Sequence, residues 1–90
     1  MTQVEMEKML IDVVCKIQEL SGREKVVVTS GTRPVLDMPG FDSLNGVEVT
    51  VDIFDRLKLD LNFNNLLVDD GKALTVTQAA TRLLSCIPKQ

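Results

Sequence analysis

The chain of 90 residues contains no histidine, no tryptophan and no tyrosine. Without an imidazole it cannot build a Ser-His-Asp relay or a histidine-bearing zinc site from its own side chains. Its aromatic residues are three phenylalanines, too few for a platform on which bases stack. Ten lysines and arginines against thirteen acids leave a net charge of −3, the wrong sign for a surface that must neutralise phosphates. Nucleic acid is therefore not an expected partner, whereas basic protein surfaces are. The two cysteines, Cys15 and Cys86, fit neither CxxC nor metal spacing. Buried free thiols in a reducing compartment are expected, without a disulfide framework or a bound metal. No apolar run reaches membrane-spanning length, and the acidic opening Met1-Thr2-Gln3-Val4-Glu5-Met6-Glu7 lacks the basic and apolar regions of a signal peptide. The expectation is a soluble, cytoplasmic monomer with no membrane association, folded as one domain over residues 1–90.

What is present reads as helix. Thr2-x-x-Glu5 has the form of a capping box, and Met6, Leu10, Val13, Val14, Ile17 and Leu20 follow at spacings of three and four. This predicts a long first helix, stopped at Ser21-Gly22. From Arg23 to Gly40 the periodicity fades, and Gly31, Pro34, Pro39 and Gly40 mark a long connection. Val26-Val27-Val28-Thr29 has strand-like residues but no convincing partner, so a loop is preferred, pinned by Val35, Leu36 and Met38. A second helix is expected from Asp42 or Ser43 to about Lys58. Asn62-Phe63-Asn64-Asn65-Leu66-Leu67 suits a short helical turn capped by asparagine, and Asp69-Asp70-Gly71-Lys72 reads as a turn. Thr75-x-x-Gln78 is another capping-box form, after which Val76, Ala79, Ala80, Leu83, Leu84 and Ile87 predict a last helix ended by Pro88. The expected fold is all-α: a bundle of three main helices with a short helix before the last and a long first loop.

The second helix carries the functional signal. Its apolar residues fall on two stripes, Val49, Ile53 and Leu57 on one and Leu44, Val47, Val51 and Phe54 on the other, with Glu48, Asp52 and Asp55 at the polar edge. Only one stripe is needed for a core, so the other is available to a partner. Gly46 sits in the opening turns at a cost of about 1 kcal/mol relative to alanine, which suggests close approach by the loop or a partner. At the helix start, after the Pro39-Gly40 break, stands Asp42-Ser43-Leu44. This places a serine hydroxyl on a first turn whose N–H groups are unpaired and whose dipole favours an anion.

The string Gly40-Phe41-Asp42-Ser43-Leu44-Asn45-Gly46-Val47-Glu48-Val49 resembles the prosthetic-group attachment site of the acyl carrier protein family. Leu74-Thr75-Val76-Thr77-Gln78-Ala79-Ala80 also resembles the start of that family's final helix. The resemblance implies that Ser43 carries 4'-phosphopantetheine, with Asp42 beside it able to serve both as N-cap and as a contact for the phosphopantetheinyl transferase or its metal. The chain itself would make no bonds. It would shuttle acyl or aminoacyl thioesters among acyl-loading, condensing and other acyl-processing enzymes with basic docking surfaces. Leu44, Val47, Glu48, Val51, Asp52 and Asp55 are the implied docking residues. Arg56 and Lys58 make the second helix less uniformly acidic than in carriers of fatty acid synthesis. A carrier for a polyketide, peptide or dedicated lipid pathway therefore fits at least as well. The alternative is a helical interaction module of the same shape without a prosthetic group. A hydrolase using Ser43 is disfavoured by the missing histidine and the lack of a lysine partner.

Overall fold

The computed structural model describes residues 1–87. Helix α1 (Gln3–Leu20) begins at Thr2, whose hydroxyl accepts the Glu5 N–H while the Glu5 carboxylate accepts the Thr2 N–H. Its residues Met6, Leu10, Val13, Val14 and Ile17 are buried as their spacing requires. Leu20, expected on the same stripe, is instead 76% exposed, because the helix ends there and the chain turns away through Ser21 and Gly22. Gly22 takes φ +70°, the left-handed conformation that glycine adopts without steric cost.

The first connection contains no strand among its described residues. Val27 is 88% exposed, while Val26 and Val28 pack at the edge of the core. Within it a helical turn, α2 (Pro34–Asp37), starts with proline at its first position and returns the Asp37 carboxylate to the Arg33 N–H at 2.8 Å. Met38 is buried and Val35 packs at the core's edge, as expected, but Leu36 is 70% exposed and pins nothing. The Gln18 carboxamide donates to the Glu24 and Pro39 carbonyls, holding both ends of the connection. Helix α3 runs over Ser43–Leu57 with Asp42 as N-cap and Lys58 in the left-handed region at its end.

The expected short helix before the last is absent from the described residues, and this is the main correction to the all-α reading. Backbone groups that a helical turn would pair internally are taken by side chains: Leu66 N–H by the Thr50 hydroxyl, Leu67 N–H by Asn65 Oδ1. The chain then forms a two-stranded antiparallel hairpin, β1 (Val68–Asp69) with β2 (Lys72–Ala73). Asp70 and Gly71 both have positive φ, 51° and 74°, which a two-residue loop of matching twist requires. The turn expected at Asp69-Asp70-Gly71-Lys72 is therefore present.

Helix α4 (Val76–Cys86) opens on the Thr75/Gln78 capping box. Its first two N–H groups, which have no partner within the helix, donate to Thr32 and Ser30 carbonyls at 3.0 Å. The first connection thus caps the last helix. The stop assigned to Pro88 lies outside the described residues. α1 packs against both α3 and α4, and Val49, Ile53, Leu66, Leu67, Val76, Ala79, Ala80 and Leu83 complete one core with its buried face. No helix of the described residues is long and apolar enough to cross a membrane.

Candidate functional site

The start of α3 is fixed by a reciprocal cap. Asp42 Oδ1 accepts the Asn45 N–H and Asn45 Oδ1 accepts the Asp42 N–H, both at 3.1 Å. Arg23 Nη1 donates to the same Asn45 oxygen at 2.8 Å, and Asn45 Nδ2 donates to the Glu48 carboxylate at 2.9 Å. Asn45 is buried, so this polar side chain is tied on every side available to it. Phe41, 3% exposed, anchors the residue before the cap. Gly40 lets the Arg23 side chain cross the backbone, since a Cβ there would stand 2.9 Å from Arg23 Cδ and Nε.

Ser43, the first residue of the helix, is exposed. Its Oγ makes no hydrogen bond to another described residue, and the N–H groups of Ser43 and Leu44 are likewise without an acceptor among them. An exposed nucleophilic oxygen thus stands beside two free donors at the positive end of a fifteen-residue helix. Asp42 serves as the N-cap, one of its two expected roles.

The two stripes of α3 separate as follows. Val49 and Ile53 are fully buried and Leu57 is partly so. Of the second stripe, Leu44 and Val51 are 67% and 63% exposed, and Val47 is half-buried. Phe54 departs from that set, because it packs edge-on against Phe63 with ring centroids 5.4 Å apart. Val47 and Val51 line a shallow open depression with Lys16, Glu48, Asp52 and Asp55. The carboxylates there are not equivalent. Asp52 is clamped by Arg56 and by Lys16 at 3.0 Å, and the Arg56 hydrogen bond holds its carboxyl below the usual carboxylate range. Glu48 receives Asn45, whereas Asp55 is exposed.

Gly46 meets the second connection, residues 58–75 between α3 and α4. A Cβ at Gly46 would collide with the Asn65 carboxamide, whose Nδ2 donates to the Ser43 carbonyl at 2.9 Å. Sequence reasoning registered the glycine and the asparagine run separately but did not join them. It missed Thr50 and Arg82 altogether, and it did not single out Asn65 within its run. Thr50, buried, donates to the Gly46 carbonyl at 2.8 Å and accepts the Leu66 N–H at 2.6 Å. Arg82 reaches the Asn65 and Val68 carbonyls and lies 4.0 Å above the Phe63 ring.

The thiols stand away from this site on α1 and α4. Cys15 is half-buried, and burial followed by the nearby Asp12 pushes its pKa up. Cys86 is exposed, which corrects the expectation that both are buried. Compared with family models, curated proteins and solved structures, the chain matches none.

Proposed function

We propose that this chain is an acyl carrier that bears 4'-phosphopantetheine on Ser43. The observation that carries the reading is the exposed Ser43 hydroxyl at the first position of α3, behind the Asp42/Asn45 cap and within the carrier-like string. The residues present fit the group. Ser43 would hold it through a phosphodiester, and the free Ser43 and Leu44 N–H groups favour an anion at that helix end. In the loading step Ser43 Oγ attacks the pantetheine-bearing phosphorus of coenzyme A. The new Oγ–P bond replaces the phosphoanhydride P–O bond, 3',5'-adenosine bisphosphate leaves, and the serine proton passes to a base of the transferase. When bound, the group supplies a thiol that holds acyl or aminoacyl residues as thioesters.

The rest of α3 suits brief docking. Leu44, Val47 and Val51 offer apolar contact beside Ser43, and Glu48 and Asp55 offer salt-sensitive attraction to basic enzyme surfaces. Asp52 contributes less attraction than its sequence position suggests, since Arg56 and Lys16 already offset its charge. A face of mixed sign favours partners in a specialised acyl or aminoacyl pathway over uniformly basic ones.

Incubation with coenzyme A, magnesium and a broad-specificity phosphopantetheinyl transferase should raise the intact mass by one phosphopantetheine. Ser43→Ala should abolish the increase while the far-ultraviolet circular dichroism stays helical. If several competent transferases leave the folded chain unmodified, the carrier reading fails. A partner that binds through Leu44 and Val51 regardless of Ser43→Ala would then favour the interaction-module alternative.

A further inference from the structure

Ser43, Gly46, Thr50 and Phe54 are spaced by three, four and four, so they stand in one row along α3. The second connection lies along that row. Phe63 meets Phe54, the Leu66 backbone meets the Thr50 hydroxyl, and Asn65 crosses Gly46 to reach the Ser43 carbonyl. The Ser43 side chain therefore belongs to the helix face that the Asn65 carboxamide borders, and the opposite side of the same turn is taken by Asn45 and Arg23.

The Asn65 carboxamide has little freedom. Its Oδ1 accepts the Leu67 N–H at 3.1 Å, and its backbone carbonyl accepts Arg82 Nη1 at 2.8 Å. Its Oδ1 above all, with Cγ and Nδ2 behind it, fits against α3 only because residue 46 has no Cβ. The Leu67 donor fixes which end of the amide is oxygen, so Nδ2 must face Ser43. One of its two N–H bonds serves the Ser43 carbonyl, and the other has no acceptor among the described residues. A neutral, restrained donor thus borders the residue assigned to carry an anion.

Resting on the carrier reading, we infer that Asn65 is a contact of the Ser43-borne group: its second Nδ2 N–H is offered to the phosphodiester. A neutral side chain is required at this position, because a carboxylate would set like charges against each other at the attachment point. Asn65 also positions the serine through the Ser43 carbonyl. It acts where the second connection touches the loading site.

Asn65→Asp separates these roles, since it preserves shape and the acceptor for Leu67 but replaces the donor with an anion. The apo and phosphopantetheinylated forms of wild type and variant are compared by thermal unfolding. Asn65→Asp should lower the midpoint of both forms, and that of the modified form by about 3 °C more at low ionic strength, with the extra loss fading in high salt. Equal losses in the two forms would overturn the inference. In the wild type, the Asn65 side-chain amide pair in a proton–nitrogen spectrum should shift on modification more than those of the exposed Asn62 and Asn64. An unmoved Asn65 pair is equally fatal to it. If the wild-type chain takes no phosphopantetheine, the carrier reading falls and takes this inference with it; a normally modified chain with equal losses removes the inference alone.

Discussion

The two flanks of α3 are built on opposite plans. Along Gly46, Thr50 and Phe54, up to the Ser43 carbonyl, the helix is covered by the second connection, and the contact is made largely of hydrogen bonds from side chains to backbone. Along Leu44, Val51 and Asp55 it is left to solvent, and its ties are the ion-paired Asp52 at the margin and the Asn45 hydrogen bond to Glu48. The difference is instructive because Ser43 sits where the two flanks meet. One flank holds the serine's turn in place, and the other leaves room for an enzyme to approach it. Substitutions on the covered flank should therefore act on stability, and those on the open flank on docking.

The largest test of that contrast is Thr50→Val. Valine keeps the volume but removes the hydroxyl, leaving the buried Leu66 N–H without its acceptor. The expected loss is about 2 kcal/mol by urea unfolding, since an unsatisfied buried donor bears its full desolvation cost. Thr50→Ser should recover most of it. A loss below about 0.5 kcal/mol, the scale of an ordinary surface change, would show that the covered flank is held by packing alone.

Gly46→Ala comes next, and its sign is the informative part. Alanine in a helix gains about 1 kcal/mol over glycine, but here its methyl would meet the Asn65 carboxamide. With Asn65 in place the substitution should destabilise by about 1 kcal/mol, the low end of what overpacking costs. In an Asn65→Ala background it should become stabilising. The double-mutant cycle reads the coupling directly. Stabilisation by the same amount in both backgrounds would mean that the carboxamide moves aside freely.

These two positions also mark where sequence reading stopped. The open flank was legible because exposure needs no partner: a second apolar stripe on a helix of a small domain announces a surplus face. The helix ends were legible because Thr2/Glu5 and Thr75/Gln78 cap themselves within three residues. The covered flank depends on residues 9 to 22 apart in sequence, such as Phe54 with Phe63 and Ser43 with Asn65, and no local pattern encodes which asparagine of a run will turn inward. The local pattern of Asn62 to Leu67 accordingly predicts a helical turn. Its consecutive leucines are instead both buried in an irregular path that side chains satisfy. Ser43 was legible as a helix start, whereas its neighbour Asn65 was not.

On the open flank Val51→Ala should change stability by no more than about 0.5 kcal/mol, because the side chain is 63% exposed. Its effect belongs to the loading reaction. KM of a phosphopantetheinyl transferase for the chain should rise several-fold with kcat nearly unchanged, the pattern of lost uniform binding. Unchanged KM together with a stability loss matching Thr50→Val would erase the distinction between the flanks.

The smallest effect is expected from Asp52→Asn, and pH gives it a direction. The Arg56 hydrogen bond, with a further one from Lys16, holds the Asp52 carboxyl below its usual value near 3.8, against the opposing influence of burial. A carboxylate depressed on folding contributes stability that is fully present above its unfolded pKa and is lost as pH falls through the folded one. Because Lys16 and Arg56 are largely exposed, the contribution at neutral pH should be only about 0.5 kcal/mol and should shrink in salt. Asp52→Asn should therefore lie slightly below wild type in urea unfolding at pH 7, and the two curves should converge as the acid limit is approached. Persistence of the gap in acid would point to the hydrogen bonding of the side chain and not its charge. A loss at pH 7 exceeding that of Thr50→Val would place the structural anchor of α3 on its open flank and reverse the assignment of the two.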